Sequence, residues 1–515
     1  MKISSVLIAV LVALVGAAKE DVMGRDPMRF SFDADVDSHR HAGEDYEIDL
    51  DVMSKDKMRR MQARKRVIDD IEKPTEIKIA PLLEEETTTT TTDWEQKVSP
   101  RGFQFGRGVA YATTTKVARG DVLFTVPLEQ TMTLESAKRG RIRLLLDANP
   151  DLPPAIGLAL HLLEEKCLGS RSRFVDYIDS LPSTAGINST IFYTEDELEI
   201  LAGSQLERMT KGRKEAIANF HEVLLRPLTS KEAVDPPLFA RGEFTLDSFR
   251  WALGIVWSRA FQLSVDERDI VLAPILDTIS ACLDPTGCEK LNRIEVNHEA
   301  KALVIYATKD YRAREQVFLD LGEKSSSILM LNHGIARPVP SPSRDSMDLA
   351  IMLDSQDPLV TVKDYLLRSV NMTLNDSYVL RYDSPALDLK MVKSLKVKLM
   401  KGEEIEHHDE ILTAKRSKDA IISLRNEFVF TRAISSSCQN LLSQYPASVD
   451  EDKQVLRSRV FPIAGEKEEN MLRAVVIEKE ILQQTLDSVM QGWTDLLTSS
   501  HKNLVGESEE QGEEP

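Results

Sequence analysis

The feature that most constrains the fold is the stretch 271–335, in which two short apolar segments flank a polar turn. The segments span 302–306 and 316–319, and a loop rich in proline, aspartate and glycine precedes them. Apolar runs of this length between turn residues are typical of strands. Because loops converge beside a small sheet, this stretch is the predicted location of a ligand or active site.

Two further strands are predicted earlier in the chain. A turn that contains Gly106, Arg107 and Gly108 leads into an apolar segment at 109–112, and a second turn opens the segment 122–127. The pattern predicts turn, strand, turn and strand. Glycines beside a strand let a ligand approach the backbone, because no Cβ lies in the way. A plain hairpin is the alternative interpretation.

The middle of the chain, about 141–264, is predicted to be helical. A helix is expected from 155 to 167, after two prolines and before Gly169. Thr194 and Glu197 have the spacing of a capping box. Another helix has apolar residues at the spacing of a core-facing stripe, namely Phe249, Leu253, Val256 and Ala260.

The remainder, from about 348 to 502, is predicted to be all-helical, with an acidic disordered tail at 503–515. Two apolar stripes are assigned to its core. The first consists of Ala420, Leu424, Phe428 and Thr431. The second consists of Met471, Leu472, Val475, Ile481, Leu482, Leu486 and Val489.

Composition limits the partners and the chemistry. The formal net charge of −18 argues against nucleic acid and favours a neutral or basic protein partner. The four cysteines, Cys167, Cys282, Cys288 and Cys438, are too scattered for a disulfide framework and lack the spacing of a zinc site. They are expected to be small buried hydrophobes. Only Cys282 and Cys288 are close enough for a local bridge, which would need an oxidising compartment.

The N-terminus indicates a route into such a compartment. Residues 1–18 have the basic start, apolar run and small-residue end of a secretory signal peptide. An uncleaved membrane anchor and plastid import are the alternatives, and no membrane span is predicted after the signal is removed. The expected destination is the secretory pathway, the extracellular space or an organelle reached by that route. Residues 19–93 are predicted to be a disordered linker. Sequons lie at Asn188, Asn371 and Asn375.

Several motifs together resemble a SET domain of the Rubisco large-subunit methyltransferase type. They are the Gly106–Gly108 turn, the helix ending in Ser258-Arg259, the loop with Pro274 and Asp277, and a Tyr-Pro to Glu-Asp segment at 445–452. The resemblance runs from about 94 to 490. It implies an α+β fold: a SET-type β fold at 94–340 with a helical insert, followed by an all-α substrate-binding domain.

The resemblance also implies a function. The family transfers a methyl group from S-adenosyl-L-methionine to a lysine, or occasionally a histidine, of a protein. The cofactor would be held by residues at matching positions, which are Gly106, Arg107, Gly108, Ser258, Arg259, Asp277, Ser280 and Ala281. A guanidinium such as that of Arg259 suits a carboxylate.

The sequence departs from the family at its catalytic motifs. Ser280 and Ala281 replace an Asn-His pair, and Leu321 and His333 replace two tyrosines. Leucine cannot hydrogen-bond an amine. Tyr306, Tyr311 or His333 could take the missing catalytic role, and His333 could accept a proton because histidine titrates near neutral pH. Two functions therefore remain open: a methyltransferase with a rewired site, and an inactive SET-fold module that binds a protein.

Overall fold

The computed structural model describes residues 98–102, 109–229, 239, 242–264, 268–283, 292–351, 357–384, 387–458 and 467–510. Its side chains are described within 111–498, apart from the gaps between these ranges. The predicted signal peptide and linker, the Gly106–Gly108 turn and Cys288 lie outside the described residues.

The described strands form short antiparallel sheets. They are β1 (Val98–Gly102), β2 (Val109–Thr113), β3 (Val122–Pro127), β4 (Met132–Thr133), β5 (Phe261–Gln262), β6 (Ile270–Leu272), β7 (Ile294–Asn297), β8 (Ala302–Tyr306), β9 (Gln316–Val317), β10 (Ser346–Leu349) and β11 (Tyr378–Arg381). The sheet orders are β1-β2-β9, β3-β8-β7, β4-β6-β5 and β10-β11. The predicted strands at 122–127 and 302–306 are confirmed, and they pair with each other.

The first three sheets enclose one apolar core. Leu123, Leu303 and Val317 are fully buried there, and they come from three different strands. After a register shift near its start, strand β3 alternates buried and half-buried residues from Phe124 to Pro127, as expected when one face of a sheet is covered. The segment that follows β6 lies beside the segment that follows β9, because Ala281 and Leu319 form a parallel bridge. This contact brings the loop with Asp277 to the edge of the sheet.

The helices occupy the insert and the C-terminal half. They are α1 (Leu134–Ala137), α2 (Arg143–Ala148), α3 (Pro154–Leu168), α4 (Val175–Ser180), α5 (Glu195–Leu198), α6 (Gln205–Phe220), α7 (Arg226–Leu228), α8 (Leu246–Arg259), α9 (Ser326–His333), α10 (Val360–Ser369), α11 (Leu389–Leu399), α12 (His408–Thr413), α13 (Leu424–Gln444), α14 (Val449–Ser458) and α15 (Lys467–Glu510). A π-helical turn, His221–Leu225, joins α6 to α7.

Local sequence signals fix the ends of the insert helices. Pro154 begins α3, and Gly169 follows its end with a positive φ of 54°. The predicted capping box is present: the Glu197 amide donates to Thr194 Oγ1 at 3.2 Å, and the Thr194 amide donates to Glu197 Oε2 at 2.8 Å. Helix α8 buries Phe249, Leu253 and Val256 against α3. The predicted core stripe of α8 is thus confirmed at these three positions.

The C-terminal half differs from the sequence prediction in two ways. It is mainly helical, but β10 and β11 form a two-stranded ladder at its start. The first predicted stripe is wrong at Leu424 and Phe428, whose side chains are exposed, whereas Ala420, which precedes α13, and Thr431 are buried as predicted. The buried face of α13 instead carries Phe430, Ile434 and Cys438, which share the same helical spacing.

The second predicted stripe, on α15, is confirmed. Met471, Val475 and Ile481 are fully buried in the core that joins the C-terminal half to the SET half. Helix α15 continues to Glu510, where the sequence predicted a disordered tail from 503. Glutamates favour a helix once a helix has been nucleated, which accounts for the extension. Across the described ranges, no helix combines the length and apolar character that crossing a membrane requires.

The cysteines are of two kinds. Cys282 is disulfide-bonded, whereas Cys167 and Cys438 are free thiols. Burial raises the pKa of Cys167 to about 11 and that of Cys438 to about 12, so neither is a reactive thiolate at neutral pH. Cys438 fits the predicted role of a small buried hydrophobe, whereas Cys167 is half-buried and the disulfide at Cys282 departs from that prediction.

Candidate active site

A cavity of about 700 Å³ lies where α8, the loop after β6, the end of β9 and α9 meet. It brings together five residues that the sequence placed in the site, namely Ser258, Arg259, Asp277, Leu321 and His333. These residues come from four separate parts of the chain. The β-sheets and the helical insert therefore converge on one site.

Asp277 and Arg259 form the polar centre of this cavity. Arg259 Nη1 donates to Asp277 Oδ2 at 3.1 Å, and the Tyr177 hydroxyl donates to the same oxygen at 2.9 Å. The Asp277 side chain is 1% exposed, and its Oδ1 is buried without a hydrogen-bond partner. Burial raises the pKa of Asp277, while the ion pair with Arg259 and the bond from Tyr177 oppose that shift. The free Oδ1 can accept a hydrogen bond from a bound ligand.

A strained turn presents Asp277. Ile275 has φ of 69° and ψ of −50°, and the Leu276 amide donates to the Pro274 carbonyl at 2.8 Å. These are the marks of a γ-turn, which is rare for a β-branched residue. Backbone strain of this kind persists where the surrounding structure holds it, and it clusters at functional sites.

Ser280 and Ala281 follow this turn but do not line the cavity. The Leu319 amide donates to the Ser280 carbonyl at 3.0 Å, and the Cys282 amide donates to the Leu319 carbonyl at 3.2 Å. Their backbones tie the loop to the end of β9. The sequence predicts that both residues bind the cofactor. The segment lies next to the cavity, but neither side chain lines it.

His333 ends helix α9 beside the cavity. Its ring lines the cavity, and its Nε2 is buried without a hydrogen-bond partner. Gly334 follows with a positive φ of 68°, and a Cβ there would meet the Asn188 carbonyl at 2.1 Å. The close approach explains the glycine, and it fixes the direction in which His333 leaves the helix.

The proposed base role of His333 needs correction. Burial, together with the nearby charges of Lys324 and Arg259, lowers its pKa to about 3. An imidazole in this environment stays neutral at pH 7 and holds a proton poorly. His333 can therefore donate or accept a hydrogen bond, but it is unsuited to remove a proton from an ammonium.

The protein is expected to lose stability as the pH falls from 7 to 5. Burial lowers the pKa of both His161 and His333 to about 3, so below about 6.5 the unfolded chain binds protons that the folded chain does not. At pH 5 each histidine then costs at most about 2 kcal/mol. Urea unfolding at pH 7 and pH 5 should show that His333→Asn loses less unfolding free energy between the two pH values than the native chain does. The exposed His407, changed to asparagine, is the control, and an equal loss in both variants would contradict the assignment.

Tyr306 and Tyr311 do not reach the cavity. Tyr306 ends strand β8 and pairs with Val122. The Tyr311 hydroxyl accepts a hydrogen bond from Asn292 Nδ2 at 2.7 Å, and its ring is buried in the sheet core. Both tyrosines therefore belong to the sheet, and the structure does not support the catalytic role that the sequence offered them.

Sequence reasoning missed three residues around the cavity. Tyr177 hydrogen-bonds Asp277, and Lys324 lines the cavity. Arg213 packs on Trp257, which also lines the cavity. The Arg213 guanidinium lies 4.3 Å from the centre of the Trp257 ring and donates to Asn332 Oδ1 at 2.5 Å. Tyr177 lies 100 residues before its partner Asp277, and no local signal marks that pairing.

A larger cavity of about 1090 Å³ lies elsewhere, between the insert and the edge of the sheets. It contains none of the predicted site residues. Its charged side chains are mixed in sign and include Lys138 with Glu135, which form an exposed ion pair at 2.5 Å. The smaller cavity has the buried ion pair and the unpaired polar atoms, so we assign the candidate site there.

The class of protein follows from fold and site together. The cavity is lined by residues of the β-sheets, the helical insert and α9, all between 155 and 333, and a mainly helical half follows in the chain. The family model described as Rubisco LSMT substrate-binding matches residues 354–482. The predicted fold resemblance is confirmed: this is a SET-type fold joined to a Rubisco LSMT substrate-binding domain.

Particular relatives and structures are similar to the chain. The actin-histidine N-methyltransferases of Homo sapiens and Gallus gallus are each 24% identical over 411 residues, which cover 76% of this chain and 66% of each relative. The structure resembles the SET domain of LSMT bound to lysine and AdoHcy (TM-score 0.65, 22% identity, 78% of this chain and 88% of that one). It also resembles Rubisco LSMT bound to AdoMet (TM-score 0.63, 22% identity, 78% and 89%). The chain thus spans just under two thirds of the length of those two relatives.

Proposed function

We propose that the chain is an S-adenosyl-L-methionine-dependent protein methyltransferase that acts on a histidine or lysine side chain. The observation that carries the proposal is the buried Arg259–Asp277 pair in a cavity of about 700 Å³. This volume lies within the range of small-molecule sites. The relatives' names and the LSMT structures with AdoMet or AdoHcy support the same class of ligand.

The residues present fit the amino-acid end of the cofactor. That end carries a carboxylate and an ammonium group. Arg259 uses Nη1 for Asp277 and lines the cavity, so its remaining nitrogens can donate to a carboxylate. The unpaired Asp277 Oδ1 can accept from an ammonium. Ser258 contributes through its backbone, because its hydroxyl already donates to the Gly254 carbonyl at 2.7 Å.

The reaction needs little acid or base strength once the acceptor nitrogen is neutral and in line. S-adenosylmethionine, when bound, supplies an electrophilic methyl group on a sulfonium. The chain supplies a partly apolar wall from Trp257, Ile279 and Leu319, which excludes water from the acceptor. Neutral His333 offers a hydrogen bond where the family has a tyrosine.

The acceptor is proposed to be a protein side chain. The substrate-binding domain at 354–482 supports a protein partner, and the relatives are actin-histidine N-methyltransferases. The net charge of −18 favours a neutral or basic partner surface. A specific observation favours the second candidate, an inactive binding module: Leu321 and Ala281 carry no hydrogen-bonding group at positions where the family has them.

Cofactor binding is expected to raise the stability of the native chain. S-adenosylhomocysteine at about a hundred times its Kd should add about 2.7 kcal/mol, measured by thermal unfolding. Arg259→Ala should lose this shift. Arg250→Ala is the matched control, because Arg250 lies on the same helix and forms an exposed pair with Asp247. No shift at millimolar ligand would refute the enzyme. A shift without methyl transfer to any lysate protein would favour the binding module.

We also propose that the chain enters the secretory pathway. The signal-like residues 1–18 and the disulfide bond at Cys282 support this route. Asn371 and Asn375 are exposed and could carry glycans, whereas Asn188 is half-buried. A mass decrease on glycosidase treatment of the natively expressed protein is expected, and an unchanged mass together with a retained residue 1 would oppose the proposal.

A further inference from the structure

Lys324 differs from the other charged groups of the cavity. It lies between the Leu321-Gly322 turn and the start of α9, and it lines both the candidate site and an adjoining cavity of about 320 Å³. Its ammonium group has no hydrogen bond or ion pair to any described residue, whereas its backbone amide donates to the Gly322 carbonyl at 3.0 Å. The side chain is half-buried.

The other buried charges of the cavity have partners. Arg259 pairs with Asp277, and Asp320 accepts from Arg344 at 3.0 Å and lies 3.6 Å from Arg293. Burial lowers the pKa of Lys324 to about 8, which leaves most of it charged at neutral pH. Glu323, the adjacent residue, also lines the cavity, but its side chain is exposed and forms no ion pair with Lys324, and His333 is neutral. Lys324 is therefore an ammonium group at the wall of the candidate site that no described carboxylate neutralises.

Such a charge discriminates between acceptors. A lysine reaches the site as an ammonium ion, whereas a histidine is mostly neutral at pH 7.5. Two positive charges about 6 Å apart at a protein surface repel enough to weaken binding by about a hundredfold. Within the cavity, neutral His333 cannot take the proton from the lysine. A neutral imidazole is not repelled by Lys324 and needs no deprotonation before it accepts a methyl group.

We propose that Lys324 is a specificity-determining residue, which excludes a lysine ammonium from the site and thereby selects a neutral imidazole acceptor. This inference rests on the proposed methyltransferase function and narrows its substrate class to histidine side chains. Lys324 acts through its charge, and a methionine of similar length would fill the same space without the charge. The charge can therefore be separated from packing.

The test measures the affinities of L-lysine and L-histidine for the full chain at pH 7.5, with and without S-adenosylhomocysteine. The two probes share the same backbone charges and differ in the side chain. Lys324→Met should bind L-lysine at least tenfold more tightly than the native chain, with L-histidine changed less than twofold. Lys324→Arg should behave like the native chain. Lys309→Met is the control, since Lys309 is paired with Glu315 away from the cavity.

The outcomes separate the two proposals. Unchanged L-lysine affinity in Lys324→Met, or an equal gain in Lys324→Arg, overturns the specificity role. Absence of S-adenosylhomocysteine binding counts instead against the methyltransferase itself. Tighter L-lysine binding in Lys324→Met alone supports selection by charge.

Discussion

Replacing Glu478 with alanine is expected to lower the free energy of unfolding by about 4 kcal/mol. The fully buried carboxylate of Glu478 accepts four hydrogen bonds: from the amides of Gln205 and Leu206 at 2.8 and 3.1 Å, the Ser327 hydroxyl at 2.7 Å and the Tyr445 hydroxyl at 3.0 Å. Removal leaves four buried donors without an acceptor. Since the donors lie in the insert, α9 and the C-terminal half, the loss should also loosen the contact between the two halves.

Denaturant unfolding of the native chain and two variants tests this expectation. Glu480→Ala on the same helix removes a partly exposed pair with Lys453 and should cost less than 1 kcal/mol. The loss of unfolding free energy in Glu478→Gln should fall between the losses in Glu480→Ala and Glu478→Ala, because the amide nitrogen cannot accept a hydrogen bond. A loss below 1 kcal/mol for Glu478→Ala would show that the four-donor contact does not hold the halves together.

Replacing Asp277 with alanine is expected to cost about 3 kcal/mol and to abolish cofactor binding. The change leaves Arg259, whose side chain is 23% exposed, without its carboxylate and the buried Tyr177 hydroxyl without its acceptor. It also removes the Oδ1 that the proposed cofactor ammonium would meet. Chemical unfolding measures the first effect, and calorimetric titration with S-adenosylhomocysteine measures the second.

Asp277→Asn separates these two effects. The amide keeps the shape and one acceptor oxygen but loses the charge, so a stability loss of about 1 kcal/mol is expected. Cofactor affinity should still fall at least tenfold, because a neutral amide attracts an ammonium weakly. Full affinity in Asp277→Asn would mean that this carboxylate does not face the cofactor.

Local patterns predicted much of the fold. Strands β3 and β8 and the capping box at Thr194 follow from signals contained within a few residues. The stripe at 420–431 failed at Leu424 and Phe428 because helical spacing alone does not say which face is covered. Leu424 and Phe428 have the right spacing, yet Glu427 and Phe430 turn inward. The ladder of β10 with β11 joins segments about thirty residues apart, which no local pattern reveals.

The candidate site was predicted only in part. Arg259 and Asp277 were found through the family resemblance, but their ion pair and the bond from Tyr177 depend on the tertiary fold. His333 was expected to titrate near neutral pH. Its burial, which the sequence does not show, lowers that pKa to about 3. Lys324 was overlooked because an isolated lysine in a turn has no distinctive pattern.

A crystal structure of the full chain with S-adenosylhomocysteine tests the central claim most directly. We expect the ligand in the 700 Å³ cavity, with its carboxylate within hydrogen-bond distance of Arg259 and its ammonium facing Asp277 Oδ1. Ligand density confined to the larger cavity near Lys138, or a cavity left without ligand at saturating concentration, would contradict it.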